Sequence, residues 1–372
     1  MTLTTPFHYD YVGSFLRPYR LKQAREAFAK GTISREQLTE TENACISELV
    51  SKLKELGYHV ITDGEFRRSA WHLDFMWGFE GIGHSPAKYG LPFHGEQAMI
   101  DDTYLIGKLG LKGEHPFVNH YRFVKQYEDE NTIAKQTIPA PAQFLAQLIM
   151  PFAKENTKKY YGCDAELIED LVSCYTAVIH QLYDAGCRNL QFDDCTWGML
   201  ADPHADRYYG VSGSGLDEIK ETYLEINNRV IASKPENLKI NTHVCRGNFH
   251  STYANSGAYD SVAAYLFARE NVDAFYLEYD DSRSGGFEPL AEVSEGKKVV
   301  LGLVTTKSPQ LEDENAVIRR IHQAERYLPL DRLCLSPQCG FASCEIGNKL
   351  TADQQWAKLE LVKRIATRVW ND

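Results

Sequence analysis

Eight short apolar runs, each ending in polar, acidic or thiol-bearing residues, recur along the chain: DYVGS, HVITDGE, QTIPAPA, NLQFDDC, KINTHVC, AFYLEYD, KVVLGLV and RLCLSPQCG. Their apolar residues are mostly continuous rather than alternating, as in parallel strands covered on both faces. Amphipathic stretches separate many of them, among them REQLTETENACISELVSKLKE and ELIEDLVSCYTAVIHQLYD. Ser34 and Gln37 form a capping-box pattern, and Gly57 and Gly186 stand where helices must close before the next strand. The alternation predicts a single (β/α)8 TIM barrel over residues 1–372, with its chemistry at the carboxyl ends of the strands. A doubly wound sheet is the competing architecture, but no Gly-x-Gly-x-x-Gly turn follows any strand, and the polar residues gather at many strand ends. The segment 81–136 is too long for a simple connection and is expected to be an insertion over the barrel mouth.

A formal net charge of -11 and a pI near 5.6 argue against nucleic acid or an anionic membrane as partner, because both need a concentrated positive field. No apolar run of membrane-spanning length occurs, and the amino-terminal stretch has no secretory pattern, so a soluble cytoplasmic protein with small-molecule partners is expected. The nine cysteines form no closely spaced framework and are expected to be reduced. Cys174 and Cys334 lie in apolar helical and strand patterns and read as packing residues.

His243 and Cys245 end the fifth run, and a spacing of two puts both on one face of a strand. Glu278 ends the sixth run and Cys339 lies in the turn after the eighth. In a barrel all of these point to one mouth, and imidazole with two thiolates suits zinc rather than magnesium or calcium. Taken singly, each has a plainer reading: a buried histidine with an internal partner, a solvated loop carboxylate, a small core cysteine.

Taken together, the HVC pair, the glutamate before SRS, the CG turn, VGSF, TDGEFRR and LQFDD resemble, in order and over nearly the whole chain, the carboxyl-terminal catalytic barrel of the cobalamin-independent methionine synthases. The resemblance implies a zinc ion held by His243, Cys245, Glu278 and Cys339, with Glu278 the exchangeable ligand. It implies that Ser14 contacts the carboxylate of homocysteine while Glu65 and Asp193 bind its amino group, and that the thiol is methylated to methionine. Full-length members carry two related barrels, and the length here accommodates the second. Lys307 stands where those enzymes have a histidine before Ser-Pro, which gives it the place of a catalytic proton donor and leaves the methyl donor open among methyl-folate, a methyl-corrinoid protein and another small methyl compound.

Around this set, Asp194 reads equally as an orienting partner of the histidine or as a cap of the following turn. Glu65 has an alternative role in an ion pair with Arg67, Arg68 or Arg17. Trp71, Trp77 and Trp197 are candidates for an aromatic wall at the mouth, with Trp197 the strongest, and ordinary lid packing is the plainer reading. His72 and His250 receive no role. The competing functions are alkylation of another thiol, as in an epoxyalkane:coenzyme M transferase, and a non-catalytic zinc or thiol sensor. A metal-free decarboxylase of the same fold would have no need of His243, Cys245 and Cys339 together.

Overall fold

The computed structural model describes residues 3–87 and 89–371. Its centre is a six-stranded parallel sheet in sequential order, here β1 (Gln136–Pro139), β2 (Asn189–Asp194), β3 (Lys239–Val244), β4 (Ala274–Glu278), β5 (Lys298–Val304) and β6 (Leu333–Pro337). Six of the eight apolar runs are thus strands of one sheet, and β2, β4 and β6 are buried along their whole length. This burial on both faces is the reason their sequences do not alternate.

The remaining two runs flank this sheet. Val60–Ile61 pairs in parallel with Ile133–Ala134, directly upstream of β1. Tyr9 forms a parallel bridge to Leu335 of β6, supported by Asp10 N–H donating to the Leu335 carbonyl at 3.0 Å and Leu335 N–H to that of His8 at 2.8 Å. The DYVGS run therefore forms no regular strand, and the bridge is made by Tyr9, the residue just before it.

Helices follow the expected pattern. Arg35–Glu55 begins with the Ser34/Gln37 capping box, and Gly57 and Gly186 take positive φ values of 77° and 99° just past helix ends. Asp164–Asp184, Ser214–Ala232, Glu314–Ala324 and Ala352–Trp370 account for the other amphipathic segments. Among the described residues no helix is long and apolar enough to cross a membrane.

The predicted insertion 81–136 divides on inspection. Its first part is two antiparallel pairs, Glu80–Ser85 with Asp102–Gly110 and Leu91–Phe93 with Glu96–Ala98. Its second part holds the helix Pro116–Lys125, packed against Asp164–Asp184, and the strand residues Ile133–Ala134 and Gln136. The expected boundary ran too far because the apolar face of Pro116–Lys125 spans only Phe117, Val118, Tyr121 and Val124, too short a run to mark a helix in sequence.

Inside the sheet, Lys135 and Asp10 form an ion pair of 2.9 Å with both side chains fully buried, and the Tyr276 hydroxyl donates to the other Asp10 oxygen at 2.7 Å. The pair ties the amino-terminal segment to the sheet interior. Removing one partner strands a buried charge, so Lys135→Met is expected to cost about 3–5 kcal/mol. Urea denaturation measures this, and adding Asp10→Asn to that variant is expected to recover part of the loss.

Candidate metal and substrate site

Register places the site. β2 and β3 pair Asp193 with His243 and Asp194 with Val244, so residues of one parity on both strands share a face. His243 Nδ1 lies 3.1 Å from Asp193 Oδ1, and its Nε2 lies 3.4 Å from the Gln338 carbonyl oxygen. Cys245 Sγ stands 3.6 Å from Cys339 Sγ, which arrives from the turn after β6. One donor atom each from His243, Cys245 and Cys339 falls within a 4.8 Å group, and all three side chains are buried. The thiols of Cys195 and Cys339 hydrogen-bond to Cys245 and hold its pKa well below the usual thiol value, against the opposing effect of burial. Burial pulls His243 down, but the hydrogen bond to Asp193 and the nearby Cys245 outweigh it and leave the imidazole raised.

These residues border a cavity of about 450 Å³ that Ser14, Glu65 and Asp193 also line. Glu65 sits in the left-handed region, φ 61°, a costly conformation for a non-glycine residue that here turns its carboxylate inward. Its Oε1 accepts from the Thr137 hydroxyl at 3.0 Å and pairs with Arg68 at 3.3 Å, while its buried Oε2 has no partner. The ion pair weighed from the sequence therefore exists with Arg68, and one oxygen remains for a ligand. Burial raises the Glu65 pKa to about 7, only partly offset by Arg68. The Ser14 hydroxyl accepts from Ala342 N–H at 3.3 Å, and a Cβ on Gly340 would come within 1.9 Å of that oxygen, so the CG turn needs its glycine to seat against Ser14.

Other expectations meet a different geometry. Glu278 is fully buried but does not border the cavity: Arg283 and Lys307 bind its Oε1 at 2.8 and 3.3 Å, and Arg246 N–H donates to its Oε2 at 3.0 Å. It is therefore outside the tight donor group, because cations on the SRS turn and the β5 turn claim its oxygens. Lys307 is held by Asp280 at 3.0 Å as well as by Glu278 and stands off the cavity. Burial alone would lower its pKa, but the two carboxylates raise it, which disfavours Lys307 as a proton donor at neutral pH.

Trp197 is wholly buried and does not border the cavity: in the helix Thr196–Ala201 it turns into the core beside the Glu270 carboxyl. Trp77 stacks on His84 at 4.1 Å, away from the cavity. Trp71 does line it, joined by Phe93 and Phe249 with ring centroids 5.3 Å apart. Phe93 was missed because nothing in LPFHGE shows that its hairpin folds over the mouth, where Glu96 binds His250 at 2.8 Å and Lys349 at 2.6 Å.

Asp194 caps the turn: it accepts from Thr196 N–H and hydroxyl at 2.8 and 2.6 Å, and the orienting role toward His243 falls to Asp193. His72 lines the cavity with its pKa lowered to about 3 by burial. Cys195, which the sequence did not single out, also borders the cavity, and its position beside Asp193 and Asp194 was the available signal.

The parallel α/β frame brings one imidazole, two thiols and carboxylates together at strand ends, a donor group that could hold a metal ion. Residues 163–363 match the model of the catalytic domain of cobalamin-independent synthase. The uncharacterized protein YxjH of Bacillus subtilis is 41% identical over 366 residues, covering 98% of this chain and 95% of that one. A crystal structure from Listeria monocytogenes, described as a candidate vitamin-B12-independent methionine synthase, is 34% identical, covers 100% of both chains and superposes with a TM-score of 0.77. A B12-independent methionine synthase from Shewanella, in complex with selenomethionine, shares the fold at 16% identity over 98% of both chains, with a TM-score of 0.72. The chain belongs to the family of cobalamin-independent methionine synthase catalytic domains, a methyltransferase family.

A pH signature follows from Glu65. Its pKa rises from 4.5 in the unfolded chain to about 7 in the fold, so the native state holds a proton that the unfolded state has lost between these values. Stability from this group is full below pH 4.5 and declines as pH rises through 7. Relative to wild type, Glu65→Gln is expected to gain in urea midpoint between about pH 5 and about pH 7.5; an unchanged difference would refute the shift.

Proposed function

We propose that this chain is a zinc-dependent methyltransferase that methylates a thiol, with homocysteine as the acceptor and methionine as the product. We read the six-stranded sheet, with Val60–Ile61 and the Tyr9 segment at its two edges, as a closed (β/α)8 barrel with the site at its carboxyl-terminal mouth. The observation that carries the function is the convergence of His243, Cys245 and Cys339 within 4.8 Å, on a cavity that Glu65, Asp193 and Ser14 also border.

The donor set fits zinc: one imidazole and two thiols, buried, with Asp193 fixing the imidazole from its other nitrogen. When bound, zinc supplies a positive charge that favours the thiolate form of a substrate sulfur. The protein supplies the rest. Glu65 offers its unpartnered oxygen, and Asp193 a carboxylate, to an ammonium that could not be buried without a counter-charge. The Ser14 hydroxyl, already accepting from Ala342 N–H, has its proton free to donate to a carboxylate. Trp71, Phe93 and Phe249 shield the reacting sulfur from water and offer an apolar wall to the methyl donor.

The same carboxylates weigh against coenzyme M as the acceptor, since a sulfonate beside Glu65 and Asp193 would bury like charges together. Zinc content and zinc K-edge absorption without and with homocysteine test the reading. The expected result is bound zinc whose shell gains a sulfur when homocysteine is added, followed by methionine formation in a screen of methyl-folate, methyl-corrinoid protein and small methyl compounds. Absence of zinc after reconstitution, or a spectrum that responds to coenzyme M and not to homocysteine, would overturn it. Cys339→Ser is expected to weaken zinc retention about 10-fold or more while leaving the fold intact.

A further inference from the structure

The amino acid that the proposed function calls for brings a carboxylate into the cavity as well as an ammonium and a thiol. Glu65 and Asp193 answer the ammonium, but the carboxylate needs hydrogen-bond donors. Among the described residues that border the cavity, Arg207 is the one arginine or lysine, and it is exposed. Arg17 and Arg68 are buried but do not border it. Arg17 donates to the carbonyls of Phe15 and Ala342 at 2.9 and 2.8 Å, and Arg68 donates to that of Thr137 at 2.8 Å and pairs with Glu65. The carboxylate falls to neutral donors, and the Ser14 hydroxyl supplies one hydrogen.

His72 borders the same cavity with nothing else to bind. It is 5% exposed, and neither ring nitrogen has a hydrogen-bond partner among the described residues. The buried imidazoles of His115 and His243 show the contrast, since both nitrogens of each are engaged. A buried polar ring left unsatisfied costs stability, and such an exception points to a missing partner. His72 stands at the N-cap of the short helix Leu73–Met76, yet its side chain makes no cap bond. Its backbone is held firmly: the Asp74 carboxylate accepts from the Ser69 hydroxyl and Ala70 N–H at 2.8 and 2.9 Å, and Trp71 N–H donates to the Ser343 carbonyl at 2.9 Å. Ser14 is tied to the same stretch, accepting from Phe341 N–H through its carbonyl at 2.8 Å and from Ala342 N–H through its hydroxyl at 3.3 Å. One turn therefore carries both side chains. Burial lowers the His72 pKa to about 3, so the ring is neutral at physiological pH and carries one N–H donor. Nδ1 is wholly buried, which leaves Nε2 to meet a ligand.

We propose that His72 Nε2–H donates to the carboxylate of the bound amino acid, beside the Ser14 hydroxyl, which makes His72 a specificity-determining residue for an α-amino acid over an amine that lacks the carboxylate. The inference rests on the homocysteine reading above and deepens it. A neutral donor holds a carboxylate without adding a cation that would compete with the substrate ammonium for Glu65 and Asp193.

The test is isothermal titration calorimetry of zinc-reconstituted protein with two ligands, methionine and methylthiopropylamine, which is methionine without its carboxylate. Wild type, His72→Phe and His72→Gln are compared, with circular dichroism to verify folding. His72→Phe is expected to weaken methionine about 10-fold and the amine less than about 2-fold, while His72→Gln, which keeps an N–H donor, recovers part of the loss. A crystal structure of wild type with methionine, which needs no variant, is expected to place His72 Nε2 within hydrogen-bond distance of the carboxylate. Equal weakening of both ligands, no weakening of either, or a carboxylate bound away from His72 would overturn the proposal. If wild type binds neither ligand, the amino-acid reading itself fails and the proposal with it.

Discussion

The pairing of Asp193 with His243 across two parallel strands is the contact on which the site depends. A slip of one residue in that register would carry His243 and Cys245 to the other face of the sheet and leave Asp193 opposite a valine. Parallel pairing also sends every strand end the same way, so Cys339, arriving from the far side of the sequence, meets Cys245 at 3.6 Å without any dedicated loop to bring it there. The buried ion pair of Lys135 with Asp10 extends this order to the amino-terminal segment, which carries Ser14.

Charge is distributed in this frame with separate tasks. Glu65 is desolvated enough to sit near neutrality in its titration and keeps one oxygen unpartnered, which suits a site that awaits a cation. Glu278 and Asp280 lie opposite Lys307 and Arg283 in a compensated network, which suits a wall. Two groups of buried carboxylates thus face different fates because of what faces them. Lys307 neutralises Glu278 and Asp280, a task for a permanent charge.

Much of the frame was legible in the residues. Continuous apolar runs marked the buried strands, Ser34 and Gln37 marked a helix start, and the His-x-Cys spacing put two donors on one face because strand alternation is a local geometric rule. The convergence of Cys339 with them followed from parallel topology. Less was legible where a residue chooses between partners. Trp197 follows an acidic strand end, yet a helical turn begins one residue earlier and swings the indole into the core beside Glu270. Glu278 ends its strand as expected, yet cations from two other turns hold its oxygens.

The sequence by itself determined the alternation of strands and helices, the parity of the donors along β3 and the chemical class of the site, since periodicity and ligand type are properties of neighbouring residues. Only the tertiary structure decided that Phe93 of a distant hairpin covers the mouth, that Asp193 rather than Asp194 orients His243, and that Cys195 stands beside Cys245. Those outcomes depend on which side chains from separate elements reach the same volume first, and close packing and charge pairing settle that competition only once the sheet has assembled.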